Sequence, residues 1–306
     1  MKALGDYELL NRLGDGYSGA VYLAVHRPTG ARVALKAPPP DLLAKKPKIR
    51  AFFATEARVL SLFKHPFAIQ LRDFQEEAEI TSDGPLKGKR VPLLAIELAP
   101  NGELCDIILK AGRLSENSAR FYFKQLMGVL SGFHGMGLVH RDIKPENVLF
   151  SESMDLRLID FAFTVEEKDN AKNLVGTPGY IAPEILLKKG AYSSKTDVFA
   201  AGVVLFIMVR GMPPFNDAAL GDPHYSMLVN NPKNFWNYHQ ISEPKAPCTP
   251  EFKELVQNML CMDPAKRWGV NEVMQSAWMK VEVDEAAAKK DMMALVAKAR
   301  ANSGMM

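Results

Sequence analysis

Three glycines near the start of the chain have the spacing of a phosphate-binding loop. Gly14, Gly16 and Gly19 form the pattern G-x-G-x-x-G within "LGDGYSGAVYLAVHRPTGARVALK", residues 13–36. Glycine in such a loop lets backbone N–H groups approach the phosphates of a nucleotide. Two unrelated folds hold nucleotides with this pattern, so the glycines alone do not decide between them.

The residues after the glycines decide between the two folds. A dinucleotide-binding fold needs a helix directly after the loop. Here two β-prone runs, 20–25 and 32–36, flank a turn at 28–30. The sequence therefore predicts strand, glycine loop, strand, turn, strand. A glycine hairpin followed by Val21, G-x-G-x-x-G-x-V, is the form described for protein kinases.

Two residues of opposite charge fall on apolar faces of the next predicted elements. Lys36 ends an apolar strand, and Glu56 falls on the apolar face of a helical pattern that opens at Pro47. A buried, unpaired charge costs several kcal/mol, so we predict an ion pair between Lys36 and Glu56. The alternative is that each side chain reaches solvent separately.

Three further motifs follow in order and carry a family resemblance. They are "HRDIKPENVLF" (140–150), "LIDFAFT" (158–164) and "GTPGYIAPE" (176–184). Together with the glycine loop they resemble the eukaryotic protein kinase family over about residues 7–279. "APNGEL" (99–104) and "GTPGYIAPE" are most similar to the calcium/calmodulin-dependent and AMP-activated kinase group.

The resemblance implies phosphoryl transfer from ATP with Mg²⁺. It implies that Asp142 accepts or orients the proton of the attacking hydroxyl and that Lys144 contacts the transferring phosphate. Asn147 and Asp160 would carry the magnesium. Lys36, oriented by Glu56, would hold the α- and β-phosphates. "DIKPEN" is similar to the serine/threonine kinases, in which the hydroxyl of Thr177 would bond Asp142 and Lys144.

The resemblance also implies a nucleotide site. The glycine loop would cover the phosphates, apolar residues would form the roof over adenine, and the segment from Ile96, at the gatekeeper position, would offer backbone groups to adenine. Leu13, Gly14, Gly16, Gly19, Val21, Ala34, Lys36, Ile96, Glu97, Ala99, Glu103 and Asp160 are the expected ATP-binding residues.

Two glutamates suggest a substrate preference. Glu103 matches an acidic residue that in this family binds ribose or a substrate arginine, and Glu146 follows Lys144 closely. We expect a basic residue three positions before the target serine. The alternative is that both carboxylates are simply solvated.

Other motif residues are expected to support the site without touching the reaction. His140 would pack as a core histidine, and Asp197 would bond the backbone of the catalytic loop. Glu184 and Arg267 resemble the ion pair that anchors the activation segment, residues 162–184, in this family.

The chain departs from the family at Ala162, where the metal-binding motif usually has glycine. The metal ligand Asp160 is kept, but the backbone freedom of glycine is lost. We expect activity to persist and conformers with a flipped Phe161 to become rarer.

A second departure concerns activation. Kinases switched on by phosphorylation often carry Thr or Ser three residues before the glycine of "GTP", where the phosphate meets the arginine of the His-Arg-Asp motif. Here that place is Asn173. We therefore expect a kinase that does not need activation-segment phosphorylation, with Arg141 pairing instead with one of three acidic residues, Glu166, Glu167 or Asp169.

Composition limits the remaining classes. The 306 residues are 47% hydrophobic, which suffices for one large domain or two lobes. The net charge of +3 is too small to indicate nucleic acid binding, and the longest apolar run, 198–209, is too short for a membrane helix and predicts a buried core helix. Three cysteines without C-x-x-C pairing and the absence of a signal-peptide pattern predict a cytoplasmic or nuclear protein with reduced thiols. We also expect a monomer.

Two regions leave alternatives open. The aromatic-rich segment 222–239 is either core or a docking surface. The tail from Asp284 is a solvated or lobe-packed helix, an autoinhibitory segment, or a basic amphipathic target for calmodulin or another regulator, and its composition favours the first.

The predicted fold is α+β and two-lobed: an N-lobe of small antiparallel sheet with one main helix over residues 1–98, a mostly helical C-lobe over 99–281, and a helical or flexible tail over 282–306. The predicted function is a serine/threonine protein kinase acting on protein substrates. The alternative is a pseudokinase scaffold or regulatory nucleotide-binding module, which the complete set of catalytic residues disfavours.

Overall fold

A computed structural model describes residues 2–16, 18–242 and 248–303. The chain packs as two compact units, the first formed by Met1–Pro100 with Ile159–Thr164 and the second by Asn101–Leu158 with Val165–Met306. The division predicted from the sequence, at residues 98/99 and 281/282, stays a prediction. Among the helices of the described residues, none has both the length and the apolar character needed to cross a membrane.

The first unit is built on a six-stranded antiparallel sheet. Its strands are β1 (Ala3–Leu4), β2 (Tyr7–Gly16), β3 (Gly19–His26), β4 (Arg32–Ala37), β5 (Leu71–Glu79) and β6 (Arg90–Ile96), in the order β1-β2-β3-β4-β6-β5. β2 and β3 are joined across the glycine loop, and β3 and β4 across the turn, as the sequence predicts. β4 and β6 are buried along almost their whole length because their residues are apolar on both faces.

Two helices accompany this sheet, α1 (Pro40–Lys45) and α2 (Ile49–Leu62). α2 buries Ile49, Phe53 and Leu60, which recur at helical spacing, and packs against β5 and β6. Glu56 lies on the same buried face. The helix thus delivers a carboxylate into the interior of the first unit.

The second unit is mostly helical. Its helices are α3 (Leu104–Ala111), α4 (Glu116–Gly135), α5 (Pro183–Leu186), α6 (Ser194–Arg210), α7 (Pro223–Asn230), α8 (Pro232–Ser242), α9 (Pro250–Met259), α10 (Val270–Gln275), α11 (Ala277–Lys280) and α12 (Glu285–Ser303). Two short antiparallel ribbons pair β7 (Leu138–Val139) with β10 (Val165–Glu166) and β8 (Val148–Phe150) with β9 (Leu156–Leu158). The predicted α+β class, an antiparallel sheet with one main helix and a mostly helical part, is confirmed.

α6 forms the centre of the second unit. Nearly every residue from Thr196 to Arg210 is buried, which is why its sequence shows no polar face. α4 and α9 pack against it. A Cβ at Gly202 would lie 2.9 Å from Cβ of Met259, so only glycine lets α6 and α9 approach this closely.

The aromatic-rich segment contributes to this core. Tyr225, Phe235 and Trp236 are buried, and Tyr225 packs edge-on against Phe199 of α6. Tyr238 is the large aromatic residue of the segment that stays exposed. The structure therefore supports the interpretation of this segment as core and not as a docking surface.

The tail forms α12, which packs against α3 and α4. Met292 and Val296 are buried one turn apart in that contact. Asp291 accepts hydrogen bonds from the hydroxyls of Ser115 and Ser118, both at 2.9 Å, and Lys298 donates to the carbonyl of Ala111. From Glu285 to Ser303 the tail is therefore a packed helix, which buries Met292 and Val296 within the second unit.

Two adjacent methionines test this packing. Met292 is fully buried and Met293 is half exposed. We expect Met292→Ala to lower the free energy of unfolding by about 2–4 kcal/mol because it leaves a cavity, whereas Met293→Ala should change it by less than about 0.5 kcal/mol. Urea titrations of both variants check this. Equal, small effects would show that α12 does not pack as described.

Candidate active site

The first unit holds a buried ion pair between a strand and a helix. β4 positions Lys36 and α2 positions Glu56, and the Lys36 ammonium lies 2.9 Å from the Glu56 carboxylate. The same ammonium lies 3.4 Å from the carboxylate of Asp160. The predicted Lys36–Glu56 pair is formed, and the alternative of two separately solvated side chains is wrong.

The charge of Lys36 is secured by these neighbours. Burial alone would lower the pKa of Lys36, but the carboxylates of Asp160 and Glu56 outweigh it and hold the pKa above its ordinary value. Lys36 is therefore an ammonium at neutral pH. An ammonium fixed in this way is suited to hold phosphate oxygens.

The glycine loop places backbone where phosphates could approach. Gly19 has a φ of 150°, and a Cβ there would lie 2.7 Å from the carbonyl oxygen of Ala37, so this position requires glycine. By contrast, no described atom lies within 4 Å of a Cβ built on Gly14. Leu13, Gly14 and Gly16 are exposed, while Tyr17 lies outside the described residues.

Three of the residues expected around adenine lie on strands, and two follow the end of β6. Val21 on β3 pairs with Lys36, and Ala34 on β4 pairs with Ile96 at the end of β6. The N–H of Glu97 donates to the carbonyl of Gln70 at 2.8 Å, which occupies the amide of that residue within the unit. Ala99 follows in a partly exposed stretch.

The second unit brings four predicted site residues into one cluster. Thr177 donates from Oγ1 to Asp142 Oδ1 at 2.8 Å, and Lys144 donates to Thr177 Oγ1 at 2.7 Å. The Lys144 ammonium also lies 2.8 Å from Asp142 Oδ2, and Asn147 Nδ2 donates to the backbone carbonyl of Asp142 at 2.7 Å. Each contact that the resemblance implies for Thr177 is present.

Two donors hold the carboxylate of Asp142. It accepts from the hydroxyl of Thr177 and lies 2.8 Å from the ammonium of Lys144. A carboxylate held between a lysine and a hydroxyl can orient, and take the proton of, another hydroxyl brought beside it. His140 is fully buried and accepts from the N–H of Asp142 through Nδ1 at 3.3 Å, which fits the structural role expected for it.

The donor types of two residues fit a hard cation. Asn147 uses its Nδ2 on Asp142, so its other side-chain atom, the amide oxygen, can serve as a ligand. Asp160 brings a carboxylate and has a φ of 63°. Among the described residues no group of three or more His, Cys, Asp or Glu side chains could hold a metal by itself. Each of the two residues therefore offers an oxygen donor of a kind that suits a hard divalent cation such as Mg²⁺.

A buried carboxylate holds the backbone that presents the cluster. Asp197 on α6 accepts from the N–H of His140 at 2.8 Å and of Arg141 at 2.9 Å. It also accepts a hydrogen bond from Nε2 of His134 at 2.9 Å. Sequence reasoning missed His134, although it lies on the apolar helix just before the His-Arg-Asp motif.

The electrostatics of Asp197 follow from these contacts. Burial alone would raise the pKa of Asp197, but the bond from His134, the nearby histidines and the backbone N–H outweigh it and hold the pKa below its ordinary value. Arg141 has a φ of 71°, a left-handed conformation that costs energy in a non-glycine residue. The two N–H bonds to Asp197 help to keep it there.

A second buried ion pair ties α5 to the chain before α10. Arg267 donates to both carboxylate oxygens of Glu184 at 2.8 Å, and its guanidinium also donates to the carbonyls of Cys261 and Lys195. This is the ion pair predicted from the resemblance. Both residues are buried, so each charge depends on the other.

Arg141 has a partner that the sequence-based prediction did not name. Its guanidinium donates to Oδ1 of Asn173 at 3.2 Å and lies 5.0 Å from the centre of the Tyr192 ring. Glu167, one of the three expected partners, instead accepts from the N–H of Ser194 at the start of α6. The prediction therefore missed Asn173, because a neutral amide was not considered as the acceptor.

The two glutamates expected at the substrate lie in an acidic part of the second unit. Burial raises the pKa of Glu103, and the nearby carboxylates of Asp106 and Glu146 raise it further. Oε2 of Glu146 is buried and has no hydrogen-bond partner among the described residues. Lys110 and Lys144 act in the opposite direction on the pKa of Glu103 but do not outweigh these effects.

Ala162 fits its place without backbone strain. Its side chain is nearly buried, and it is not among the described non-glycine residues with positive φ. Phe161 beside it is fully buried and packs toward Phe63 at 6.4 Å between ring centres. In this conformation the motif therefore has no need of glycine.

Comparison with known proteins assigns the chain to a family. The family described as "Protein kinase domain" matches residues 7–279. CBL-interacting protein kinase 29 of Oryza sativa subsp. japonica is 34% identical over 301 residues, covering 93% of this chain and 61% of the relative.

Two further relatives extend the comparison. Calcium-dependent protein kinase 24 of the same species is 32% identical and covers 92% of this chain and 52% of its own length. CBL-interacting serine/threonine-protein kinase 20 of Arabidopsis thaliana is 33% identical, with 90% and 58% covered. The chain thus spans about half to three fifths of the length of these curated relatives.

The role of Asp197 can be tested through pH. We expect Asp197→Asn to lower the free energy of unfolding by about 1–3 kcal/mol at pH 7, because an amide cannot accept from all three donors. Since the pKa of Asp197 in the folded protein lies below its ordinary value of 3.8, its contribution is present above that pH and is lost as the pH falls through the folded pKa.

The measurement is urea unfolding of the parent and Asp197→Asn at several pH values. The difference between the two proteins should be constant above about pH 5 and shrink below about pH 4. A difference that does not change with pH would contradict the ionised, hydrogen-bonded state of Asp197.

Proposed function

The chain belongs to the protein kinase domain family, and on that premise we propose that it is a serine/threonine protein kinase that uses ATP to phosphorylate protein substrates. The resemblance to the calcium/calmodulin-dependent and AMP-activated group is confirmed by the relatives. The observation that carries the proposed activity is the cluster of Asp142, Lys144 and Thr177.

The reaction divides between the side chains of this cluster. The oxygen of a substrate serine or threonine forms a bond to the γ-phosphorus of ATP while the bond from that phosphorus to the β,γ-bridging oxygen breaks. Asp142 orients the attacking hydroxyl and takes its proton. Lys144 places a positive charge beside the phosphoryl group during its transfer. The hydroxyl of Thr177 bonds both Asp142 and Lys144 and holds the two side chains in position.

The nucleotide is proposed to be held mainly by the first unit. The glycine loop covers the phosphates, Lys36 binds the α- and β-phosphates under the control of Glu56, and Val21 and Ala34 contact adenine. Asn147 and Asp160 would hold Mg²⁺, which when bound neutralises charge on the β- and γ-phosphates.

We also propose that this activity needs no phosphate in the activation segment. Asn173 has no hydroxyl to modify, yet its amide oxygen already accepts from Arg141, the residue that a phosphate would otherwise engage. This hydrogen bond supports an activation segment that is ordered without phosphorylation.

The acidic residues of the second unit support a substrate preference. Glu146 has a buried carboxylate oxygen without a hydrogen-bond partner among the described residues. Burial, with the nearby carboxylates of Asp106 and Glu146, raises the pKa of Glu103. An arginine side chain inserted there would satisfy both carboxylates. We propose that the preferred substrates carry a basic residue three positions before the target serine.

The activity is tested by transfer from Mg·ATP to a basic serine peptide. We expect phosphatase-treated parent to phosphorylate the peptide and Asp142→Asn to lose at least about 10³-fold in kcat while its affinity for ATP stays within about two-fold. Measuring ATP binding by calorimetry provides the control. ATP binding by the parent without transfer to any hydroxyl peptide would favour the scaffold alternative.

The substrate preference is tested with a matched pair of variants. For a peptide with arginine three residues before serine, Glu146→Gln should lower kcat/KM by about ten-fold or more, because one charge-assisted bond is lost. For the same peptide with alanine there, the loss should be under about two-fold. Glu254→Gln, at an exposed position on α9, should leave both values unchanged. Equal losses for both peptides would contradict the arginine site.

A further inference from the structure

One residue holds the activation segment on both sides of Asn173. The N–H of Tyr192 donates to the carbonyl of Ala171 at 2.9 Å. The Tyr192 hydroxyl donates to the carbonyl of Val175 and accepts from the N–H of Val175 at 3.2 Å. Residues 171 and 175 are therefore fixed to the same tyrosine, with Asn173 between them.

Tyr192 is itself firmly placed. It is 4% exposed and packs in a small apolar cluster with Val139, Ile181 and Ile185, against which Val175 also lies. Burial raises the pKa of its hydroxyl, so the group stays protonated and can donate at any physiological pH. The position of Tyr192 is therefore set by the core of the second unit and not by the activation segment.

Arg141 completes the attachment. Its guanidinium lies over the Tyr192 ring and donates to the side chain of Asn173. A Cβ at Gly176 would lie 2.8 Å from the carbonyl oxygen of Arg141, so the segment runs directly against the backbone of that residue. The next residue, Thr177, donates to Asp142. Residues 171–177, here called the anchored segment, are thus held from one end to the other.

We propose that Tyr192 is a positioning residue for phosphoryl transfer, whose N–H and hydroxyl align the anchored segment so that Asn173 meets Arg141 and Thr177 meets Asp142 without a phosphate. This inference rests on the proposed kinase function and explains how that function is reached without modification. Tyr192 touches neither reactant in this account. It acts through Val175, two residues before Thr177.

The hydroxyl is the part of Tyr192 that the proposal depends on. Without it, the partly buried N–H and carbonyl of Val175 lose the hydroxyl that both of them bond in this structure. Phenylalanine keeps the ring against Arg141 and the backbone bond to Ala171. Tyr192→Phe therefore removes one feature only.

The first readout is amide hydrogen exchange in the full chain, treated with phosphatase. In Tyr192→Phe, exchange of residues 173–177 should accelerate about ten-fold or more, while exchange in α6 stays unchanged. Tyr238→Phe, which alters an exposed tyrosine on α8, is the matched control and should leave exchange at the anchored segment as in the parent. Unchanged exchange in Tyr192→Phe would overturn the proposal.

The second readout is kinetic. Tyr192→Phe should lower kcat/KM for a serine peptide about ten-fold, with a higher KM for the peptide and an unchanged KM for ATP. A loss of folded protein alone would reduce kcat and leave both KM values unchanged, which would count against a positioning role. Adding Asn173→Asp to Tyr192→Phe should recover part of the loss, because a carboxylate binds Arg141 more tightly than an amide does.

The two proposals fail in different ways. If the parent transfers no phosphate to any peptide, the kinase function is wrong, whereas hydrogen exchange still reports whether Tyr192 holds the segment. If Tyr192→Phe folds poorly, Asn173→Ala serves instead, since Asn173 is exposed and should accelerate exchange at 172–175 without unfolding the unit. Normal exchange and normal peptide kinetics in Asn173→Ala would overturn the role of the Arg141–Asn173 bond.

Discussion

The carboxylate of Asp197 is the acceptor on which the cluster of Asp142, Lys144 and Thr177 in the second unit depends. It is buried and accepts the backbone N–H groups of two successive residues, His140 and Arg141. These bonds hold Arg141 at a φ of 71°, where a non-glycine residue would not stay unaided. From that backbone, Arg141 reaches Asn173 and Asp142 reaches Thr177 and Lys144. One buried acceptor thus orders two different sets of contacts.

The same principle recurs in the first unit, where a buried charge is tolerated because a partner is fixed beside it. Lys36 on β4 would be expensive to bury alone, and the helix α2 brings Glu56 to it. Glu184 and Arg267 repeat the arrangement in the second unit. In each case the fold has already met the cost of ordering the charged groups. Such prearranged charges are what phosphoryl transfer requires, because that reaction needs positioning and charge neutralisation more than covalent help.

Much of this could be predicted from the sequence because the residues concerned are marked by local signals. The glycine hairpin follows from strand pattern, and the Lys36–Glu56 pair follows from two charges on apolar faces. The contacts of Arg141 could not be predicted in this way. Asn173 and Tyr192 are ordinary residues in sequence, and only the tertiary structure shows that the tyrosine brackets the asparagine. His134 was missed for the same reason, since a histidine on a buried helix has no periodic signature of its partner.

The central proposal is that the kinase activity needs no phosphate in the activation segment. The most direct test is the time course of peptide phosphorylation by protein whose intact mass shows no bound phosphate. The account predicts product formation that is linear from the first turnovers, at a specific rate independent of enzyme concentration and of preincubation with Mg·ATP. A lag that shortens with preincubation, while phosphate accumulates in residues 164–184, would contradict it.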